Sequence, residues 1–402
     1  MFCCLAYDKG MLRISLAAVG IFLSTLMGFS QGAQDSSLYK MRKLKVEEIN
    51  FVSSYYSQDG NNSAVTGGIG SEKLTDFATT TNVKLSRYDS RYRKHILDIE
   101  LGFDSYTSAS SDKIDPSTIS SASASDSRFY PSISYSVVND KVGSTFSATG
   151  SVSTEYDYFS KGLGVGWAQL SKDRNREFGV KAQVYLDTWS VILPIELRDI
   201  DGNRKEPRNT YSTSLTLSQV LTSRLQMLLL ADFAYQDGQL ATLYHRTYFT
   251  DGSHRVENLP SKRIKIPLGI RLNYFIGDNF IVRSYYRYYR DDWGMKAHTF
   301  ELETAVKITP FISFSPFYRY YTQDGVKYFN SYAAHDTQQA FYTSDYDLSS
   351  LSSTMIGLGG RYAPPGGVLG LTRFSAFELR YGHYQRSTGL NADIISLFAK
   401  FK

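Results

Sequence analysis

From residue 263 to residue 274 the chain keeps a two-residue beat. Arg263, Lys265, Pro267, Gly269, Arg271 and Asn273 alternate with Ile264, Ile266, Leu268, Ile270, Leu272 and Tyr274. Successive side chains of an extended strand point to opposite faces, so the segment predicts a strand with one apolar and one charged face. A single strand of this kind also fits a soluble sandwich with one wet face. Recurrence decides, because the same beat returns almost to the last residue. That predicts a transmembrane β-barrel, with lipid outside and water within.

Leu97, Ile99, Leu101 and Phe103 oppose Asp98, Glu100, Gly102 and Asp104. Phe178, Val180, Ala182, Val184 and Leu186 oppose Glu177, Lys181, Gln183 and Asp187. Further strands are predicted over 48–56, 79–90, 128–139, 142–157, 161–171, 211–218, 223–236, 279–290, 296–308, 311–323, 353–362, 374–386 and 391–401. Tight connections fall around 139–140, 171–176, 222–223, 277–279 and 309–310. Long polar ones occupy 106–127, 188–209, 237–261 and 324–352. Counted back from the C-terminus, the long connections share one end and the tight ones the other, as in bacterial barrels with outward loops and periplasmic turns. The expected fold is all-β, an antiparallel up-and-down barrel of about sixteen strands. The alternative is about fourteen strands with residues 36–80 as a lumenal plug, a role that Gly67, Gly68 and Gly70 would suit.

The N-terminus predicts export. Lys9 and Arg13 precede an uncharged apolar run over 14–29, followed by small residues Gly28, Ser30 and Gly32, so residues 1–32 are expected to be a signal peptide that is removed. Residues 33–47 are then a periplasmic segment and 48–402 the barrel. Cys3 and Cys4 are the only cysteines and leave with the signal. The mature chain is therefore expected to lack disulfides, thiol nucleophiles and thiolate metal ligands. No later stretch reaches the length of about 18 apolar residues that a membrane helix needs, so only a closed sheet could satisfy the backbone in lipid.

Composition sharpens this only slightly. The 31 Tyr and 24 Phe suit the aromatic girdles of a membrane barrel. A net charge of +5 without any Lys/Arg run gives no reason to expect nucleic acid. The last strand ends Ile395, Leu397, Ala399, Phe401. It resembles the signal read by barrel assembly machinery, although Lys402 departs from the commoner terminal aromatic.

Several blocks carry a family resemblance. They include residues 54–60 (SYYSQDG), 63–70 (SAVTGGIG), 106–116 (YTSASSDKIDP), 155–158 (EYDY), 291–294 (DDWG) with 297–299 (AHT), 316–321 (PFYRYY) and 342–348 (YTSDYDL). From about residue 40 to its end the chain resembles the exported barrels of Bacteroidota known only as a domain of unknown function, DUF3570. The resemblance implies an outer-membrane barrel from that phylum. It implies no activity, so no functional residue is carried over.

Candidate chemistry is sparse. Outer-membrane hydrolases use Asp/His or Ser/His pairs near the rim, and the candidates are His245, His254, His298 beside Asp291 and Asp292, His335 with Asp336, and His383. None lies in a nucleophile motif, and a histidine in a Tyr-rich belt is more often a hydrogen-bonding group. Asp199, Asp201, Asn203 and Glu206, and likewise Asp59, Asn61 and Asn62, suggest oxygen-rich calcium loops, but without the full loop spacing. The Ser-rich stretch 108–127, with Asp112, Asp115 and Asp126, reads as an exposed loop.

The strongest constellation is lumenal. Arg263, Lys265, Arg271, Arg283, Arg287, Glu301, Glu303 and Arg319 share the polar face of neighbouring strands, with Tyr285 among them. Pairing Ile308 with Ile312 sets Glu301 opposite Arg319, and centring the preceding connection on Gly294 sets Arg287 opposite Glu301. Such a ladder could line a pore or rigidify a filled lumen. The function expected is a non-enzymatic outer-membrane barrel that passes or binds small polar solutes. The competing expectation is an occluded barrel acting as a scaffold in a larger complex. No cofactor or metal is expected. The partners are outer-membrane lipid and lipopolysaccharide, the assembly machinery during insertion, and other outer-membrane proteins under the scaffold reading.

Overall fold

A computed structural model describes residues 43–107, 126–197 and 204–402. The expected signal peptide and most of the N-terminal segment lie outside these residues, as do Asp112, Asp115, Asp199, Asp201 and Asn203. Eighteen strands follow in order: β1 (Lys45–Asp59), β2 (Leu74–Tyr88), β3 (Lys94–Tyr106), β4 (Asp126–Asn139), β5 (Ser144–Thr154), β6 (Tyr158–Leu170), β7 (Arg176–Ser190), β8 (Lys205–Thr222), β9 (Leu225–Gly238), β10 (Arg246–Tyr248), β11 (His254–Val256), β12 (Lys262–Ile276), β13 (Phe280–Asp291), β14 (Lys296–Lys307), β15 (Ile312–Gln323), β16 (Leu351–Tyr362), β17 (Phe374–Arg386) and β18 (Asn391–Phe401). Sixteen of them form a closed antiparallel barrel in which each strand pairs with its neighbours along the chain, while β10 and β11 form a separate small ribbon. Closure runs from Ile49 opposite Phe401 to Asp59 opposite Asn391.

All sixteen expected strands are present, and the fourteen-strand alternative falls. β1 and β2 pair along nearly their whole length as wall strands, so the described residues of the 36–80 stretch do not form a separate plug.

Alternation sorts the side chains as the beat requires. Leu268, Phe300, Leu302, Tyr318, Ile356 and Leu379 are exposed on the outer face. Apolar side chains left uncovered around a closed sheet are what a surrounding hydrocarbon phase would cover. Aromatic pairs flank this band at both heights. Phe374 stacks on Phe401 at 4.8 Å and Trp167 meets Phe178 edge-on near one end. Tyr211 stacks on Tyr235 at 6.2 Å towards the other.

The long connections all emerge from one end of the barrel. That end carries 60–73, 107–125, 191–204, 239–261 and 324–350; the opposite end carries 89–93, 140–143, 171–175, 223–224, 277–279, 308–311 and 363–373. Turn chemistry fits the three-residue connection 277–279: Gly277 takes φ +58, an αL geometry that glycine adopts without steric cost.

Candidate functional site: a charged lumen beneath a loop dome

Inward positions of β12 to β17 line a cavity of about 600 Å³ bounded by Arg271, Arg283, Tyr285, Glu301, Glu303, Phe317, Arg319 and Arg380. Glu301 stands opposite Arg319, as the Ile308–Ile312 pairing predicts, and accepts a charge-assisted hydrogen bond from it. Glu303 is the node of the wall. Its Oε1 accepts from Arg283 Nη1 at 2.5 Å and its Oε2 from Arg380 Nη2 at 2.7 Å.

One expected pairing is wrong. Arg287 faces Thr299, and Glu301 faces Tyr285. The connection from β13 to β14 closes through Asp291 N–H to Met295 O at 3.1 Å, so its centre is Trp293 rather than Gly294. Moving the centre by one residue moves the register by two. Every side chain keeps its face but changes its partner. Trp293 sits at the centre because its ring is buried among apolar loop residues and its Nε1 donates to Lys262 O at 2.9 Å.

Sequence reasoning also missed Arg380. Its strand is three places from that of Glu303, so no pairing argument joins them. The guanidinium crosses the intervening wall because β16 presents Gly357 and Gly359 there. A Cβ at Gly359 would stand 3.3 Å from Arg380 Cγ, and one at Gly357 only 2.3 Å from Phe317 Cζ. Phe317 in turn carries the Arg380 guanidinium 4.8 Å from its ring centroid. The inward glycines of β16 were the available signal.

The remaining lumenal cations differ in their partners. Arg263 is paired with the fully buried carboxylate of Asp291 at 2.5 Å and stacks on Trp293. Arg271 lies over the Tyr285 ring at 5.2 Å. Among the described residues Lys265, Arg271 and Arg287 have no carboxylate within ion-pair distance.

Above this chamber the loops fold into a dome. Val191, Ala241, Leu243, Leu259, Trp293, Met295 and Val326 form its buried core, drawn from four connections. Inward side chains around the mouth hold it. Arg208 Nε donates to Gln239 O at 2.7 Å, Gln323 Nε2 to Asp347 O at 2.9 Å, Gln58 Nε2 to Glu72 O at 3.2 Å, and Arg386 Nη1 to Asp347 Oδ1 at 2.6 Å. Arg246 joins three connections, with Nε on Glu196 Oε1 at 2.5 Å, Nη2 on Oε2 at 3.1 Å and Nη1 on Val65 O at 2.9 Å. Residues 60–73 thus do fold inward, as their glycines suggested, but as a loop. Gly67 takes φ +80, where a Cβ would lie 2.6 Å from the Tyr248 ring.

The histidines divide by position. His298 faces outward and meets Tyr286 Oη at 2.8 Å; His383 faces outward and meets Asp393 at 2.8 Å. His335 is fully buried in the dome between Gln339 Oε1 at 3.0 Å and Thr343 O at 3.1 Å. His254 stacks on Tyr248 at 5.3 Å. His245 faces Glu257 and Asp345. Burial pushes the Glu72 carboxyl up to about 7, with Asp347 and Asp345 adding repulsion. The suggested calcium positions have other partners: Glu206 pairs with Arg204 at 2.5 Å, Asp59 with Lys73 at 3.6 Å, and Asn62 Nδ2 donates to Thr388 O at 2.6 Å.

The family model described as protein of unknown function (DUF3570) matches residues 104–387. No curated protein matches the sequence. Among solved structures, a loop L8 deletion mutant of OmpT, an outer-membrane protein of Vibrio cholerae, aligns at 8% identity and TM-score 0.47, over 89% of this chain and 99% of that one. A BenF-like porin from Pseudomonas fluorescens aligns at 10% identity and TM-score 0.41, over 88% and 98%. OccD3 of Pseudomonas aeruginosa aligns at 10% and 0.43, over 91% and 96%. These are likenesses between barrels, at identities too low to speak to activity.

Proposed function

We propose that this chain, which belongs to the family of proteins of unknown function DUF3570, is a non-enzymatic outer-membrane barrel that takes small anionic solutes into an arginine-lined chamber below its loop dome. One observation carries the reading. The chamber is lined by Arg271, Arg283, Arg319 and Arg380 against Glu301 and Glu303, and Arg271 is held by an aromatic ring rather than a carboxylate. A guanidinium presented on a ring keeps its donors free for a carboxylate or phosphate group. In a hydrated lumen such rings of cationic side chains favour anions. The dome faces the cell exterior, where it meets lipopolysaccharide, and β18 is the strand that assembly machinery reads during insertion.

Purified protein in a planar bilayer is expected to conduct with anions preferred over cations. Arg271→Ala should lower that preference by roughly twofold without loss of the folded barrel. A cation-preferring wild type would refute the solute reading. Tags at Gly252 and Ser331 should be labelled on intact cells, and tags at Asp140, Ser223 and Asp278 only after the outer membrane is opened. Reversed accessibility would refute the orientation.

The dome favours a second reading. It has its own apolar core and is bonded to the inner wall at several strands. An occluded barrel built this way would serve as a scaffold in a larger envelope complex. Absence of conductance in wild type, together with co-purification of other barrels, would select it.

A further inference from the structure

Outside the lumenal chamber, the loop dome carries a second cluster of ligating groups. His245 Nδ1, a Glu257 carboxylate oxygen and an Asp345 carboxylate oxygen all lie within 4.8 Å of one another. His245 and Glu257 come from the connection between β9 and β12, and Asp345 from that between β15 and β16. We propose that this triad binds a divalent transition-metal ion, zinc in the first instance, and that the ion clasps the two longest described loops of the dome together.

The geometry speaks against a plain ion pair. His245 Nδ1 is 3.8 Å from Glu257 Oε1 and 4.0 Å from Asp345 Oδ2, beyond hydrogen-bond reach of either. That nitrogen is sealed from solvent and has no hydrogen-bond partner. A buried ring nitrogen without a partner is costly, whichever tautomer it holds. Bonds of about 2.0–2.2 Å from one zinc ion to nitrogen and oxygen donors set those donors roughly 3–4 Å apart, so with the histidine nitrogen already 3.8 and 4.0 Å from the two carboxylate oxygens and all three atoms within 4.8 Å, a small inward shift would seat the ion. One imidazole with two carboxylates is a donor set for zinc or manganese, whereas calcium prefers oxygen alone.

The carboxylates are also held for the task. Glu257 is buried, its Oε2 accepting from Thr242 N–H at 2.5 Å and its Oε1 from the Thr343 hydroxyl at 2.5 Å. Asp345 Oδ1 accepts from Asp347 N–H at 2.8 Å, which leaves Oδ2 turned to the histidine. Such outer hydrogen bonds orient metal-binding carboxylates. Asn258 and Tyr342 exchange backbone hydrogen bonds at 3.1 and 2.7 Å, so the two loops already lie side by side where the triad meets.

The test uses the full barrel, refolded in detergent and stripped with chelator, then titrated with ZnCl2 and, separately, CaCl2. Wild type should bind one zinc ion per chain in the micromolar range or tighter, with calcium failing to displace it. Asp345→Asn and His245→Ala should each weaken zinc binding at least tenfold, while His298→Ala on the outer wall should not. Heat-modifiable migration checks that each variant is a folded barrel, and the near-isosteric Asp345→Asn decides if His245→Ala does not fold. Zinc should also slow protease cleavage near Gly252 in wild type but not in Asp345→Asn. Equal zinc binding by wild type and Asp345→Asn would overturn the site. Displacement by equimolar calcium would overturn the assigned class of ion.

Discussion

Leu268→Arg is expected to cost about 2–4 kcal/mol of folding free energy in a bilayer, the range for an arginine facing lipid near the midplane of a barrel. Leu268 lies near the middle of β12, is 46% exposed and belongs to the outward set. Its chain neighbour Gly269 points inward, where a Cβ would meet the flexible end of Tyr285 at 3.3 Å and Leu230 Cδ1 at 3.4 Å. Gly269→Ser therefore asks for a small side-chain adjustment in a hydrated lumen and should cost below about 1 kcal/mol. Equilibrium unfolding of both variants in lipid vesicles, read by tryptophan fluorescence, makes the comparison. Equal costs for the two would mean that the faces of β12 are wrongly assigned, and the membrane reading would go with them.

The same contrast marks what the sequence made legible. Strand existence and facing follow from a local period of two, and every wall strand could be read that way. Register needed turn geometry as well. The connection around Thr309 and Pro310 is short enough to have one natural closure, so Glu301 and Arg319 were paired correctly. The connection at Trp293 looked like a turn centred on its glycine. Its true centre is a tryptophan drawn into the dome core, a tertiary effect that no local rule contains. Arg380 reaches Glu303 across two intervening strands, and only the inward glycines Gly357 and Gly359 hinted that a side chain lies over them. The dome was the least legible part. Loops have no period, and His245 and Asp345 stand on loops with four wall strands, β12 to β15, between them in the chain.

Glu303→Gln is expected to be the most damaging single change inside the chamber. The glutamate takes Arg283 on one oxygen and Arg380 on the other, and its side chain is only 18% exposed. Neutralising it leaves two guanidinium groups facing an amide that can accept from only one of them through its oxygen. Breaking a buried pair by removing one partner costs about 3–5 kcal/mol, and lumenal water reaching Arg283 and Arg380 should reduce this to about 2–3 kcal/mol here. Glu301→Gln removes a partner from Arg319 alone, which is half exposed, and should cost only about 1 kcal/mol. The two variants therefore separate a network node from a simple pair, and heat-modifiability with urea unfolding ranks them. They also separate the functional readings. In a conducting barrel both should raise the preference for anions, Glu303→Gln more strongly because it frees two cations rather than one. In an occluded scaffold the stability order would stand while no conductance appears to be altered. If Glu303→Gln proves no more costly than Glu301→Gln, Arg380 does not reach Glu303 across β15 and β16 in solution.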